Sequence, residues 1–285
     1  MDHTSSASKR RPFGGGRLVG SGRGVVYIVG AGPGDPGLLT IKAHDRITSA
    51  DVVVYDRLVS EAVRNLIPVG VPRIYAGKAP GRCRISQAET NQLLVKLART
   101  NHRVVRLKGG DPFMFGRGGE EALYLASHGI QFEVIPGVTA ASACAAYANI
   151  PLTHRGLANA VHIITGHSGG SGKAPDLDWK RLADPQATLV IYMGLANLEE
   201  IVARLIDAGL PPSTPAAVVE RGTMPSQCKF STTLQLLPDL VAQKQMNPPA
   251  IIIIGRVVSL AEELEPDARP ERSVALTSIK AGRHV

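Results

Sequence analysis

The apolar positions of this chain fall in short, continuous runs that stop abruptly at glycine, proline or aspartate. Runs at 25–29, 52–55, 104–107 and 132–135, with a shorter one at 73–75, carry almost no polar alternation. Such runs mark strands buried on both faces, as in parallel sheets. Between them lie helical segments at 38–49, at 86–99 and at 118–128; the second opens with a Ser86–Glu89 capping box, and Ser60 stands where a cap is needed for a further short helix. Strands alternating with helices predict a parallel sheet with helices on its faces. A small-residue helix starting at 137–141 then leads into a second series. Its strands fall at 161–164, 188–193, 216–220, 230–233 and 250–258, with helices at 198–208 and up to about 244. The expected fold class is α/β, with two α/β domains and mainly parallel or mixed sheets. The expected limits are a disordered basic tail at 1–23, domains at 24–137 and 138–264, and a polar tail at 265–285.

Chemistry-bearing residues collect where strands end. The run Val104-Val105-Arg106-Leu107 stops at Gly109 and Gly110, followed by Asp111 and Pro112. Paired glycines allow close backbone approach to a ligand and are expected to leave N–H groups free to donate. Asp111 places a carboxylate at a strand's C-terminal end, where open α/β sheets bind ligands. Phe113, Met114 and Phe115 add apolar faces. Arg117 adds a planar cation before a helix, and Glu120 stands one turn on, placed to orient it. Asp56 ends the 52–55 strand and has three open readings: a ribose anchor, an acid or base facing the 109–111 loop, or a turn residue. Lys78, between glycine and proline, lies on the same strand-end side and also fits a surface lysine. Thr139 is either a strand-end contact or a helix-start residue.

Composition narrows the classes. The glycine loop Gly30-Ala-Gly-Pro-Gly-Asp-Pro-Gly37 resembles a dinucleotide fingerprint, but that pattern needs glycine at 35, where Asp35 stands, and Pro33 removes a donor. The net charge of +8 divides evenly: residues 1–23 hold five Lys/Arg against one Asp, so +4 lies in the tail and +4 in the body. With 4% aromatic residues and no basic helix in the body, a nucleic-acid binder is disfavoured. A modest positive excess suits an acidic small molecule. Three separated cysteines predict neither a disulfide framework nor a zinc site. With no apolar run long enough for a span and no signal-like N-terminus, the expected location is cytoplasmic, away from membranes.

Several motifs belong together. They are Val29-Gly-Ala-Gly-Pro-Gly-Asp35 with Leu38-Leu-Thr40, and Arg106-Leu-Lys-Gly-Gly-Asp-Pro-Phe113 with Phe115-Gly-Arg-Gly118. Val134-Ile-Pro-Gly-Val-Thr-Ala140, Pro151-Leu-Thr-His-Arg155, Thr165-Gly-His167, Tyr192-Met-Gly194 and Gly222-Thr223 with Pro225 and Gln227 complete the set. From about 25 to 264 the chain resembles the tetrapyrrole methylases. Within them the 106–118 and 151–155 signatures are similar to those of the uroporphyrinogen-III C-methyltransferases. A Gly/Ser-rich stretch at 168–172 departs from the pattern.

The resemblance implies two α/β domains with a ligand cleft between them and a homodimer. It implies S-adenosylmethionine as co-substrate, S-adenosylhomocysteine as product, and no metal. The cofactor contacts it carries over are Pro33, Gly109, Gly110, Asp111, Met114, Thr139, Ala140, Met193 and Gly222. It gives Asp56 as proton acceptor and Lys78 as proton donor, and Arg117 joins them as a catalytic residue that positions substrate or stabilises charge. The implied substrate is uroporphyrinogen III, methylated at C2 and C7 through precorrin-1 to precorrin-2, toward sirohaem, cobalamin or haem d1. For such a polycarboxylate, Arg57, Arg117 and Arg155 are the expected anchors, with Glu120, His167 and Met193 beside them. A later corrin methyltransferase, a diphthamide-forming enzyme, a silent tetrapyrrole-binding module and a nicotinamide oxidoreductase are the alternatives.

Overall fold

The computed structural model describes residues 24–77, 86–100, 103–167 and 174–265. The expected tails at 1–23 and beyond 265, Lys78 and its loop, and the 168–172 stretch lie outside the described residues. Contacts divide the chain into two compact units, Met1–Thr139 and Ala140–Val285.

The first unit runs β1 (Val25–Gly30), α1 (Ile41–Thr48), β2 (Val52–Tyr55), α2 (Glu61–Arg64) and β3 (Arg73–Tyr75). It continues with α3 (Gln87–Arg99), β4 (Arg103–Lys108), α4 (Gly118–Ser127) and β5 (Gln131–Ile135). The strands form one sheet, order β3-β2-β4-β1-β5, and every pairing is parallel. Side chains alternate across it. Tyr27, Val29, Val53, Val105 and Leu107 pack into one core with Ile47 and Val63, while Val26, Ile28, Val52, Val54 and Val104 pack into another with Leu94 and Leu125. Each fully buried aliphatic side chain contributes about 1.5–3 kcal/mol, so the continuous apolar runs hold both helix layers. Parity then fixes a detail that matters below. Arg106 and Lys108 continue the row begun by Val104, and Asp56 continues the row of Val52 and Val54, so all three face the α3 and α4 layer.

Two expected boundaries are corrected. The first helix begins at Ile41, not 38: Asp35 Oδ1 accepts from Gly37 N at 2.7 Å in a short 3-10 turn, and Thr40 Oγ1 caps α1 by accepting from Ala43 N at 3.1 Å. The caps override the apolar pair Leu38–Leu39, and Leu39 is extended. The capping box at Ser86–Glu89 and the Ser60 cap are present as expected.

The second unit runs α5 (Ala140–Tyr147), β6 (Ala160–Thr165), α6 (Trp179–Leu182), β7 (Ala187–Tyr192), α7 (Leu198–Asp207) and β8 (Pro215–Glu220). β9 (Cys228–Thr233), α8 (Leu237–Gln243), β10 (Ala250–Ile254) and α9 (Leu260–Glu263) follow. Its sheet order is β6-β7-β10-β8-β9; β6 and β7 are parallel and the remaining pairs antiparallel. The last strand stops at Ile254 rather than 258, because Gly255 turns at φ 149° into a 3-10 segment.

Candidate active site

At the C-terminal edge of the first sheet, three loops meet backbone to backbone. Gly32 and Gly110 exchange hydrogen bonds, Gly110 N to Gly32 O at 2.7 Å and Gly32 N to Gly110 O at 3.2 Å. A Cβ on Gly30 would lie 2.8 Å from Gly110 O, and one on Gly137 would collide with the same oxygen. A Cβ on Gly109 would lie 2.7 Å from that of Leu58. These glycines are therefore demanded by loop packing. The expectation of a free N–H at Gly110 is corrected: Gly32 takes it. Asp111 also has structural work, since Oδ1 accepts from Phe113 N at 2.8 Å and Oδ2 from Gly137 N at 3.0 Å. Each oxygen keeps a lone pair beyond those bonds. Phe113 and Phe115 stand exposed beside it, Met114 and Pro33 are half-buried, and Thr139 and Ala140 follow at the start of α5.

Asp56 sits in a different environment. It lies one step beyond the last β2–β4 pair, Tyr55 with Leu107, so it falls beside Lys108. Arg106 Nη2 donates to Asp56 Oδ1 at 2.6 Å and Lys108 Nζ to Oδ2 at 3.5 Å. Beneath them Glu121 Oε1 accepts from Arg106 Nε at 3.0 Å, Lys108 Nζ at 3.0 Å and Gln87 Nε2 at 3.1 Å. Arg106 and Lys108 side chains are 3% exposed and Glu121 0%, while Asp56 keeps 29%. Burial disfavours the Arg106 cation more than any single partner favours it, yet Glu121 and Asp56 together hold its pKa above the ordinary value. Four charges thus cancel inside a layer that is mostly apolar, with Gln87 and Asn91 of α3 beside them, and solvent reaches the group through Asp56. The sequence reading missed Arg106, Lys108 and Glu121 as parts of one cluster. The available signal was parity: cations at alternate positions of a strand that is otherwise apolar must share one face.

Arg117 precedes α4 with φ 60°, a left-handed backbone without a side-chain cap. Its Nε and Nη2 donate to Glu120 Oε1 and Oε2 at 2.8 and 2.7 Å, with both side chains 55% exposed. Glu120 orients Arg117 as expected. That hydrogen bond is the chief reason the Arg117 pKa is raised and the Glu120 pKa lowered. Arg57 is exposed in the turn after β2.

In the second unit, Met193 follows β7 with φ 53° and 51% exposure. Gly222 is buried, and a Cβ there would strike Cys144 Sγ on α5. Burial pushes the Cys144 thiol up to about 12. Nearby motif residues also prove structural: Gln227 Oε1 accepts from Thr223 N at 2.7 Å while its Nε2 donates to Tyr147 O at 3.0 Å, and Tyr192 Oη accepts from Ala141 N at 2.7 Å. Arg155 is exposed in a turn closed by the His154–Ala158 bridge, and His167 is exposed just after β6. Of the seven non-glycine residues with positive φ among those described, Phe115, Arg117, Met193, Arg221 and Thr223 fall in or beside these motif segments. Such strain persists where surrounding structure fixes it, and it clusters at functional sites.

Residues 25–238 match the family model described as Tetrapyrrole (Corrin/Porphyrin) Methylases. The chain belongs to the tetrapyrrole methylases. Its two α/β units have the fold of that family. Within the first unit, exposed Phe113 and Phe115 suit the adenine of an S-adenosylmethionine and Asp111 keeps acceptor capacity; within the second, exposed Met193 suits a sulfonium. Among the described residues no acidic, histidine or cysteine cluster could hold a metal, and no helix is long and apolar enough to cross a membrane. A siroheme synthase of Methylococcus capsulatus is 53% identical over 241 residues, covering 85% of this chain and 51% of that protein. The chain spans about half the length of the curated relatives it matches. The uroporphyrin-III C-methyl transferase of Thermus thermophilus, solved with S-adenosyl homocysteine, superposes with TM-score 0.71 at 40% identity, covering 83% of this chain and 94% of that one. A cobalt precorrin-4 methyltransferase gives TM-score 0.73 at 28% identity, covering 82% and 95%.

Proposed function

We propose that the chain methylates uroporphyrinogen III at C2 and C7, giving precorrin-2 by way of precorrin-1, a precursor of sirohaem, cobalamin and haem d1. The observation that carries this reading is Asp56, a carboxylate held by two buried cations yet open to solvent, at the C-terminal edge of a parallel sheet. The sulfonium of S-adenosylmethionine supplies an activated methyl group, so attack by a pyrrole carbon forms a C–C bond, breaks the C–S bond and releases S-adenosylhomocysteine. The attacked carbon already bears a side chain, so it becomes quaternary; the cationic tetrapyrrole regains neutrality by losing a proton from a neighbouring atom, and Asp56 accepts it. Lys78 is the proposed proton donor. Positioning does much of the remaining work, since aligned reactants need little further activation.

The proposed cofactor contacts in the first unit are Pro33, Gly109, Gly110, Asp111, Met114 and Thr139; in the second they are Ala140, Met193 and Gly222. For Gly110 the contact is proposed through its approachable backbone rather than its N–H. The substrate carboxylates are assigned to Arg57, Arg117, Arg155 and His167, all exposed and so available to an arriving anion. Glu120 fixes the Arg117 fork, and Met193 offers an apolar face to the tetrapyrrole as well. We place the reaction in the cytoplasm, in a homodimer. Anaerobic incubation with uroporphyrinogen III and methyl-labelled S-adenosylmethionine tests the reading by product mass. Two labelled methyl groups per tetrapyrrole are expected; a product with one, or none, contradicts it.

A further inference from the structure

We propose that Glu121 is a positioning residue that keeps Asp56 available to take a proton, acting through Arg106 and Lys108. The proposal rests on the reading of Asp56 as proton acceptor and adds to it a residue that never meets the substrate.

Glu121 is fully buried on α4, in a layer whose apolar part includes Val104, Leu94 and Leu125. For stability alone, an apolar side chain there, with apolar partners, would serve as well or better than buried ions. What Glu121 does instead is collect three donors on one oxygen, Arg106 Nε, Lys108 Nζ and Gln87 Nε2, all at 3.0–3.1 Å. That fixes where both cations stand beneath Asp56. It also shares their charge. Without Glu121, two buried cations would face a single carboxylate, drawing Asp56 inward and holding it as their counter-ion. With Glu121 in place the cations are already half balanced, so Asp56 is oriented by them and still free to take a proton. The contacts follow that division: the guanidinium contact to Asp56 is 2.6 Å, whereas Lys108 stands 3.5 Å from Asp56 and 3.0 Å from Glu121.

A double-mutant cycle in the methyl-transfer assay separates this role from a structural one. Turnover is measured for the wild type, Asp56→Asn, Glu121→Gln and the double variant, with thermal melting as a control on folding. Asp56→Asn is expected to lose about 100-fold in kcat, the usual scale for a general base. Glu121→Gln is expected to lose about tenfold in kcat with the KM for S-adenosylmethionine nearly unchanged, and to add nothing in the Asp56→Asn background. The proposal is overturned if Glu121→Gln keeps its turnover while Asp56→Asn loses it, or if the two losses multiply. Wild-type turnover in Asp56→Asn would overturn the acceptor reading itself, and the proposal with it. Should Glu121→Gln fail to fold, Gln87→Leu removes one donor to Glu121 and leaves all four charges. Its kcat is expected to fall by about threefold, again only while Asp56 is present, and an equal loss in both backgrounds overturns the proposal.

Discussion

Arg106 and Arg117 both reach carboxylates around α4, and they illustrate two uses of one side chain. Arg106 is sealed, 3% exposed, and bridges Glu121 and Asp56 within a group of four buried or half-buried charges. Arg117 is 55% exposed and forks onto Glu120 in the first turn of α4. The first arrangement cannot let go of a partner without stranding a charge in an apolar layer. The second can, because water compensates either ion at little cost. A fixed cation suits the aiming of a reactive carboxylate. A releasable one suits the capture of a substrate carboxylate that arrives from solution.

Variants can break this contrast. The largest stability effect belongs to the interior: Glu121→Ala leaves two buried cations under-compensated and should cost about 3–5 kcal/mol in urea unfolding. A loss below about 1 kcal/mol would put the interior cluster on the same footing as the surface pair. Next comes Arg117→Lys, which keeps the charge but not the fork. It should lower kcat/KM for the tetrapyrrole by about tenfold or more, while the Kd for S-adenosylmethionine stays unchanged; near wild-type kinetics would remove Arg117 from substrate capture. The smallest effect is that of Glu120→Gln, at most about 1 kcal/mol and less in salt. Its pH dependence has a definite sign. The Glu120 pKa is lowered in the folded protein by its bond to Arg117, so the stabilisation is present above the unfolded carboxylate value of about 4.3 and is lost as pH falls through the folded one. The difference between wild type and Glu120→Gln in urea unfolding should therefore appear at neutral pH and vanish in acid.

The architecture was legible because it rests on local patterns. Continuous apolar runs marked the parallel strands, and the Ser86–Glu89 box marked a helix start that the structure reproduces bond for bond. The start of α1 was misplaced because Leu38 and Leu39 extend the apolar pattern while Thr40, whose cap decides the matter, reads as an ordinary polar residue. The site was legible as residue types and much less so as contacts. The glycines at 109 and 110 read as ligand loops, whereas a Cβ at Gly109 would meet Leu58, and Gly110, at φ 67°, exchanges hydrogen bonds with Gly32; both neighbours are brought close by strand order. The cluster under Asp56 stayed hidden for the same reason. Its members come from β2, α3, β4 and α4, and the β2–β4 register that sets Asp56 beside Lys108 is a tertiary fact. The pairing of Arg117 with Glu120 is local, between the residue before α4 and the first turn of that helix, and it was visible at once.

The most direct test of the account is turnover by Asp56→Asn beside the wild type, followed by labelled methyl transfer to uroporphyrinogen III under saturating S-adenosylmethionine. The account predicts two methyl groups per tetrapyrrole for the wild type and a fall of about 100-fold in kcat for the variant with substrate binding retained. Equal turnover by the two proteins would contradict it.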